Sequence, residues 1–237
     1  RRSRREAGRV SVSARPQVRV EHDPPAAAAR AAAVIAARAA GALARRGAFR
    51  LALSGGRTPR LMLRYLADCG LDWDRVTLFQ VDERMVPDDD PRRNLMHLQA
   101  ALGGVPARIV PLPVDEPNPD EACRRYARRL PPRLDLVHLG LGADGHTASL
   151  VPNDPVLEIG DRQVALTGAR YQGTRRMTLT YPALARAREI LWLVTGDEKR
   201  TALTGLLSGD RRLPAARVVA HEACLIAERA AMPEEGG

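Results

Sequence analysis

Aromatic side chains are scarce: two Phe, two Trp and four Tyr, 3% of 237 residues. A surface that reads single-stranded nucleic acid needs stacking rings along a basic groove, so the scarcity argues against a nucleic-acid partner. It also obliges the core to be built mainly from Ala, Leu and Val, within an apolar content of 45%. Cysteine is rare too. Cys69, Cys123 and Cys224 lie far apart, an odd, unpaired set that reads as reduced thiols rather than a disulfide framework or a zinc cluster. The histidines His22, His97, His138, His146 and His221 are equally dispersed, with no HExxH-type spacing, so neither metal nor cofactor is expected. Long apolar runs are missing as well. The nearest, Ala31 to Ala44, is interrupted by Arg38 and is mostly Ala, short of the roughly 18 residues that a membrane helix requires. The chain reads as a soluble globular protein with no membrane partner.

Lysine is the most pointed absence. The chain uses Arg 36 times and Lys once, at Lys199. With Arg serving wherever a generic cation suffices, the single compact ammonium marks either a position where a planar fork does not fit or a stray residue without a role. The net charge of +9 is unevenly spread, because residues 1–17 carry six Arg and one Glu. Elsewhere basic and acidic side chains are interspersed. The start lacks an apolar h-region and so does not read as a secretory signal. Residues 1–16 are expected to form a disordered basic tail, 17–230 a single α/β domain and 231–237 a flexible C-terminus.

What is present is an alternation of strand-like and helix-like segments. Strands are expected at 17–21, 49–53, 75–81, 134–139, 163–166, 177–180, 189–194 and 223–227. Helices are expected at 24–46, capped by Asp23, then 59–68, 94–102, 116–130 and 197–207. Strands separated by helices of ten or more residues imply right-handed crossovers. The fold class is therefore α/β: a mostly parallel, Rossmann-like sheet with helices on both faces and a small antiparallel addition near 163–180. In such sheets ligands sit beyond the carboxyl ends of the strands, and the chemistry should be sought there.

Four strand-end motifs stand out. In Ser54-Gly55-Gly56-Arg57-Thr58-Pro59, a strand gives way to two glycines and a helix with Thr58 as N-cap, an arrangement suited to cradling a phosphate. Asp82, Glu83 and Arg84 follow the next strand as a polar constellation or as the start of a solvated loop. The run from Gly140 to Leu150 contains G-x-G-x-x-G, yet Pro152 arrives too soon for a dinucleotide crossover helix. Asp144 and His146 lie two residues apart on this loop, which suits proton transfer. His138, inside an apolar strand, reads as a satisfied core residue. Finally, Arg176 at a strand start and Lys199 after a strand could clamp a phosphate from the rim.

In this order the blocks resemble the 6-phosphogluconolactonase family: SGGxTP at 54–59, DERxVP at 82–87, GxGxDGHTASL at 140–150, RxTLT at 176–180 and TGxxK at 195–199. The resemblance runs from about Gln17 to Ala227. It implies a cytosolic, metal-free hydrolase of the pentose phosphate pathway that opens 6-phospho-D-glucono-1,5-lactone, on a fold shared with glucosamine-6-phosphate deaminases. Its only partner would be the sugar phosphate lactone, and the chain would be a monomer or weak homo-oligomer. By the resemblance, His146 is the general base, Ser54, Gly55, Gly56, Arg57 and Thr58 form the phosphate cradle, and Arg176 and Lys199 pair with the phosphate. Asp82, Arg84 and Asp144 line the sugar end; either Asp144 or Asp82 would orient the imidazole, and backbone N–H groups or Arg84 would steady the oxyanion. The chain departs from the family pattern at Val151 and Asn153, at Arg93 where Ser is usual, and at Tyr171-Gln172-Gly173 on the approach to Arg176.

Two rivals frame this reading. The deaminases carry a similar loop, DGHIAFNEP, with a Glu just before the Pro, where this chain has Val151. A non-catalytic sugar-phosphate sensor could keep the cradle without needing His146.

Overall fold

The computed structural model describes residues 16–234. Of the expected tail at 1–16 only Pro16 is among them, and 235–237 also lie outside. The chain opens with β1 (Gln17–Glu21) and α1 (Pro24–Arg46). Asp23 caps α1 by accepting the Ala26 N–H at 2.7 Å. A stripe of Ala27, Ala28, Ala31, Ala32, Ile35, Ala39 and Ala42 is buried. By length and composition alone α1 could cross a membrane; here small side chains at helical spacing lay it along a sheet.

Then come β2 (Phe49–Leu53), α2 (Arg57–Ala67), β3 (Val76–Gln80), β4 (Asp82–Arg84), α3 (Asn94–Leu102), β5 (Arg108–Val110), α4 (Pro119–Arg129) and β6 (Leu136–Leu139). The second half adds β7 (Val164–Leu166), β8 (Arg176–Leu179), the short α5 (Tyr181–Leu184), β9 (Glu189–Val194), α6 (Arg200–Ser208) and β10 (Glu222–Glu228).

Seven strands form one sheet in the order β1-β10-β9-β6-β2-β3-β5, every pair parallel. Alternate residues of its strands feed two apolar clusters. Leu51, Leu53, Leu136, Leu191, Leu193 and Ile226 point to the side covered by α1, α2 and α3. Ala52, Val137, Leu139, Ile190, Trp192 and Leu225 point to the side covered by α4, α6 and a second sheet. Burial on both faces explains why these strands read as nearly continuous apolar runs. The second sheet, β4-β8-β7, is antiparallel and is the addition expected near 163–180, enlarged by β4.

Four expectations change. The segment after Val81 is not simply a solvated loop: Asp82–Arg84 pairs with β8, and Asp82 and Glu83 are buried. The helix after β2 begins at Arg57 with Gly56, not Thr58, in the cap position, and the Thr58 hydroxyl instead lies 2.7 Å from that of Thr195. The stretch from Asp197 begins as a 3-10 turn and becomes α-helix only at Arg200. His138 is fully buried, but both ring nitrogens lack a hydrogen-bond partner, so it is not satisfied. Its burial drives the imidazole pKa down to about 4, which keeps the ring neutral.

Candidate active site

The chain builds outward from β2 through β3 to β5, then returns to the other side of β2 with β6. The carboxyl ends of β2 and β6 thus flank the point where strand order reverses, the place where an open parallel sheet parts to admit a ligand. A cavity of about 210 Å³ lies there. Ser54, Gly55 and Gly56 contribute from the end of β2, Asp82 and Arg84 from β4, and Gly140, Gly142 and His146 from the loop after β6. Arg176 and Lys199 join them, so five sequence blocks converge on one hollow. Arg57 and Thr58 are not in its lining. Asp144 stands behind His146 rather than facing the cavity. A larger hollow, about 690 Å³ between α4 and β7, is lined by Cys123, Arg124, Arg162 and Arg175 and contains no histidine.

His146 is held from its Nδ1 side, which lies 2.6 Å from Asp144 Oδ1; its backbone N–H reaches the same oxygen at 3.1 Å. This approach needs a glycine at 142, since a Cβ there would run into the imidazole and the Asp144 carboxylate. Burial alone would raise the Asp144 pKa, but hydrogen bonds from His146 and Tyr171 outweigh it and hold the carboxyl below its ordinary range. An ionised carboxylate only accepts, so Nδ1 carries the hydrogen and Nε2 is left as the basic nitrogen. Asp82 makes no such contact. Its carboxylate accepts the Ser149 hydroxyl at 2.6 Å, and its Oδ2 lies 3.9 Å from Arg176.

The carboxylates of the 82–84 motif divide their work by strand alternation. Asp82 and Arg84 reach the cavity, while Glu83 points away and is wholly buried. Glu83 accepts the N–H groups of Asn94 and Leu95, each at 2.8 Å, and so caps α3, whose N-cap residue Arg93 supplies no side-chain bond. Arg93, one of the departures from the family pattern, is itself buried against Val86 O and Asp88. Asn94 then accepts from Arg84 and donates to Asp82 O at 3.1 Å.

At the other end the Ser54 hydroxyl is buried without a hydrogen-bond partner. No side chain caps α2, which leaves its first N–H groups and the positive end of its dipole directed at the cavity. Arg176 is buried; desolvation lowers its pKa, and the Asp82 charge opposes that shift. Lys199 lies 3.7 Å from Glu198. Asn94, Ala148 and Gln172 also line the cavity, and sequence reasoning assigned none of them a role. Ala148 and Gln172 both adopt positive φ, 51° in each case, backbone strain of a kind that gathers at functional sites. Among the described residues no group of three or more His, Cys, Asp or Glu could hold a metal ion.

The sequence pattern of the family described as glucosamine-6-phosphate isomerases/6-phosphogluconolactonase matches residues 22–227. The chain belongs to that family. Within it, the 6-phosphogluconolactonase of Synechocystis sp. is 38% identical over 167 residues, 65% of this chain and 69% of that protein. The 6-phosphogluconolactonase of Nostoc sp. is also 38% identical, over 169 residues, 65% of this chain and 70% of that protein. The crystal structure of 6-phosphogluconolactonase from Thermotoga maritima superimposes with a TM-score of 0.82 at 27% identity, covering 90% of this chain and all of that one.

Proposed function

We propose that this chain is a 6-phosphogluconolactonase, an enzyme that hydrolyses 6-phospho-D-glucono-1,5-lactone to 6-phosphogluconate in the pentose phosphate pathway, and that it acts in the cytoplasm. One observation carries the reading: a single cavity has Ser54, Gly55, Gly56, Arg176 and Lys199 in the same lining as His146. A dianionic phosphate takes the cradle end, met by the free N–H groups of α2, the Ser54 hydroxyl and the two cations. The lactone carbonyl then comes to rest near His146.

Nε2 of His146 removes a proton from water as the water oxygen bonds to C1. Negative charge moves onto the carbonyl oxygen, which Arg84, a guanidinium in the same lining, stabilises. When the tetrahedral intermediate collapses, the C1–O5 bond breaks and the imidazolium returns its proton to O5. The product is the open-chain acid, which ionises at neutral pH. Asp144 keeps Nδ1 protonated and steadies the imidazolium, a role supported by its 2.6 Å contact. Asp82, engaged with Ser149 and Arg176, shapes the sugar end.

The deaminase alternative lacks support from the 150s loop. Val151 is a buried apolar side chain, so no carboxylate stands there to assist ring opening and ammonia release. The test is lactone hydrolysis by wild type and His146→Ala, each measured against spontaneous opening of the ring. Wild-type turnover well above background, lost in the variant, is expected; equal rates would discard the assignment, and ammonia released from glucosamine 6-phosphate would replace it.

A further inference from the structure

His146 and Arg176, both in the lining of the cavity, are both touched by one short turn. Tyr171 and Thr174 pair across it, with Tyr171 N–H donating to Thr174 O at 2.9 Å. Between them Gln172 and Gly173 both take positive φ, 51° and 83°. That is the geometry of a tight two-residue hairpin whose twist suits the flanking strands, and it is costly for a non-glycine residue such as Gln172. The turn continues into Arg176 at the start of β8.

The contacts on its two sides differ in kind. The Tyr171 hydroxyl donates to Asp144 Oδ2 at 2.9 Å and lies 3.2 Å from His146 Nδ1. Its ring meets the His146 ring edge-on, with centroids 5.1 Å apart. The same ring carries the Arg176 guanidinium 5.1 Å from its centroid, and Gln172 Oε1 accepts from that guanidinium at 3.0 Å. Asp144 is itself on an exposed, glycine-rich stretch. Tyr171 occupies Oδ2, which leaves Oδ1 facing His146.

We propose that Tyr171 is a positioning residue for the lactone hydrolysis: its hydroxyl fixes the Asp144–His146 pair, and its ring, with Gln172, braces Arg176 at the phosphate end. The proposal rests on the functional reading above. Burial and the Asp144 carboxylate push the phenol pKa up to about 12, so the hydroxyl remains a donor wherever the enzyme works. Removing the hydroxyl frees the carboxylate to turn, which affects proton transfer; removing the ring frees the guanidinium, which affects binding. The two halves of the side chain therefore separate kinetically.

The experiment compares Tyr171→Phe, Tyr171→Ala and Gln172→Ala with wild type, measuring kcat and KM on the lactone. Tyr171→Phe keeps the ring and should lower kcat about ten- to hundredfold with KM nearly unchanged, the worth of one hydrogen bond to a charged group. Tyr171→Ala should lower kcat similarly and raise KM several-fold, and Gln172→Ala should raise KM alone. A Tyr171→Phe enzyme within about twofold of wild-type kcat, or one whose kcat and KM change together, overturns the proposal. A second readout is independent of turnover: the ring 15N resonances of His146, identified by their loss in His146→Ala, should shift in folded Tyr171→Phe. If wild type fails to beat spontaneous hydrolysis, the assigned reaction falls. The positioning of His146 is then still decided by those resonances, and unmoved signals overturn it.

Discussion

His138 and His146 stand eight residues apart, on either side of the boundary between β6 and the loop that leaves it. Inside the strand the imidazole is sealed between layers, without a hydrogen-bond partner and with its pKa pressed down to about 4. On the rim the same side chain has a carboxylate on Nδ1, a phenol beside it and Nε2 left for a ligand. Imidazole chemistry is identical in the two places. What differs is whether a neighbour accepts the proton on one nitrogen and so defines the other as a base. A histidine becomes reactive through its partners, and burial alone makes it inert.

The sharpest way to break the comparison is to remove each ring in turn. His146→Ala should lower lactone hydrolysis by about 10²- to 10⁴-fold, the usual worth of a general base, whereas removing His138 should leave kcat/KM within severalfold. Comparable losses from both would show that the rim histidine is not special. Gly142→Ala leaves His146 in the sequence but takes its space; kcat should fall about a hundredfold, and a crystal structure of the variant should show the ring displaced from Asp144.

The inert partner has its own signature, in stability. His138 titrates near 6.5 when unfolded but near 4 when folded, so between those values the unfolded chain binds more protons. Stability from keeping the ring neutral is complete above pH 6.5 and is lost as pH falls through 4, by about 3 kcal/mol in all. His138→Leu removes that loss. Denaturant melts at pH 7.5 and pH 4.5 should show the variant gaining on wild type at the lower pH; a constant difference would mean that His138 is hydrated or paired. The smallest effect concerns the distant end of the site. Lys199→Ala should raise KM about tenfold with kcat little changed, since it removes a phosphate contact common to ground and transition states. A fall in kcat instead would place the ammonium at the reacting carbon.

Local signals carried much of the fold. The ranges 24–46, 94–102 and 189–194 coincide with α1, α3 and β9, because the Asp23 cap of α1 and the apolar patterns of all three are local in the chain. Of the three three-residue strands, β7 was expected at 163–166 but β4 and β5 were not; each of those two forms where a neighbour pairs with it. The site was legible as a set of blocks, since each block sits at a strand end that parallel topology brings to one rim. Which carboxylate meets His146 was not, and Asp82 and Asp144 were equal on paper until Ser149 and Arg176 were seen to engage the former. At the turn of residues 171–174 only Gly173 is a turn signal in the sequence, and the contacts with Asp144 and Arg176 depend on tertiary approach.

The alternation in β4 has one more consequence. Three consecutive charged residues present opposite sides of a ribbon only three positions long, so a single-residue deletion before Asp82 would exchange them. Glu83 would be pushed toward the sugar, and the amino end of α3 would meet a cation or nothing at all. Three letters in the chain thus encode an inside and an outside by parity alone, and recognition and scaffold would fail together if the count were wrong.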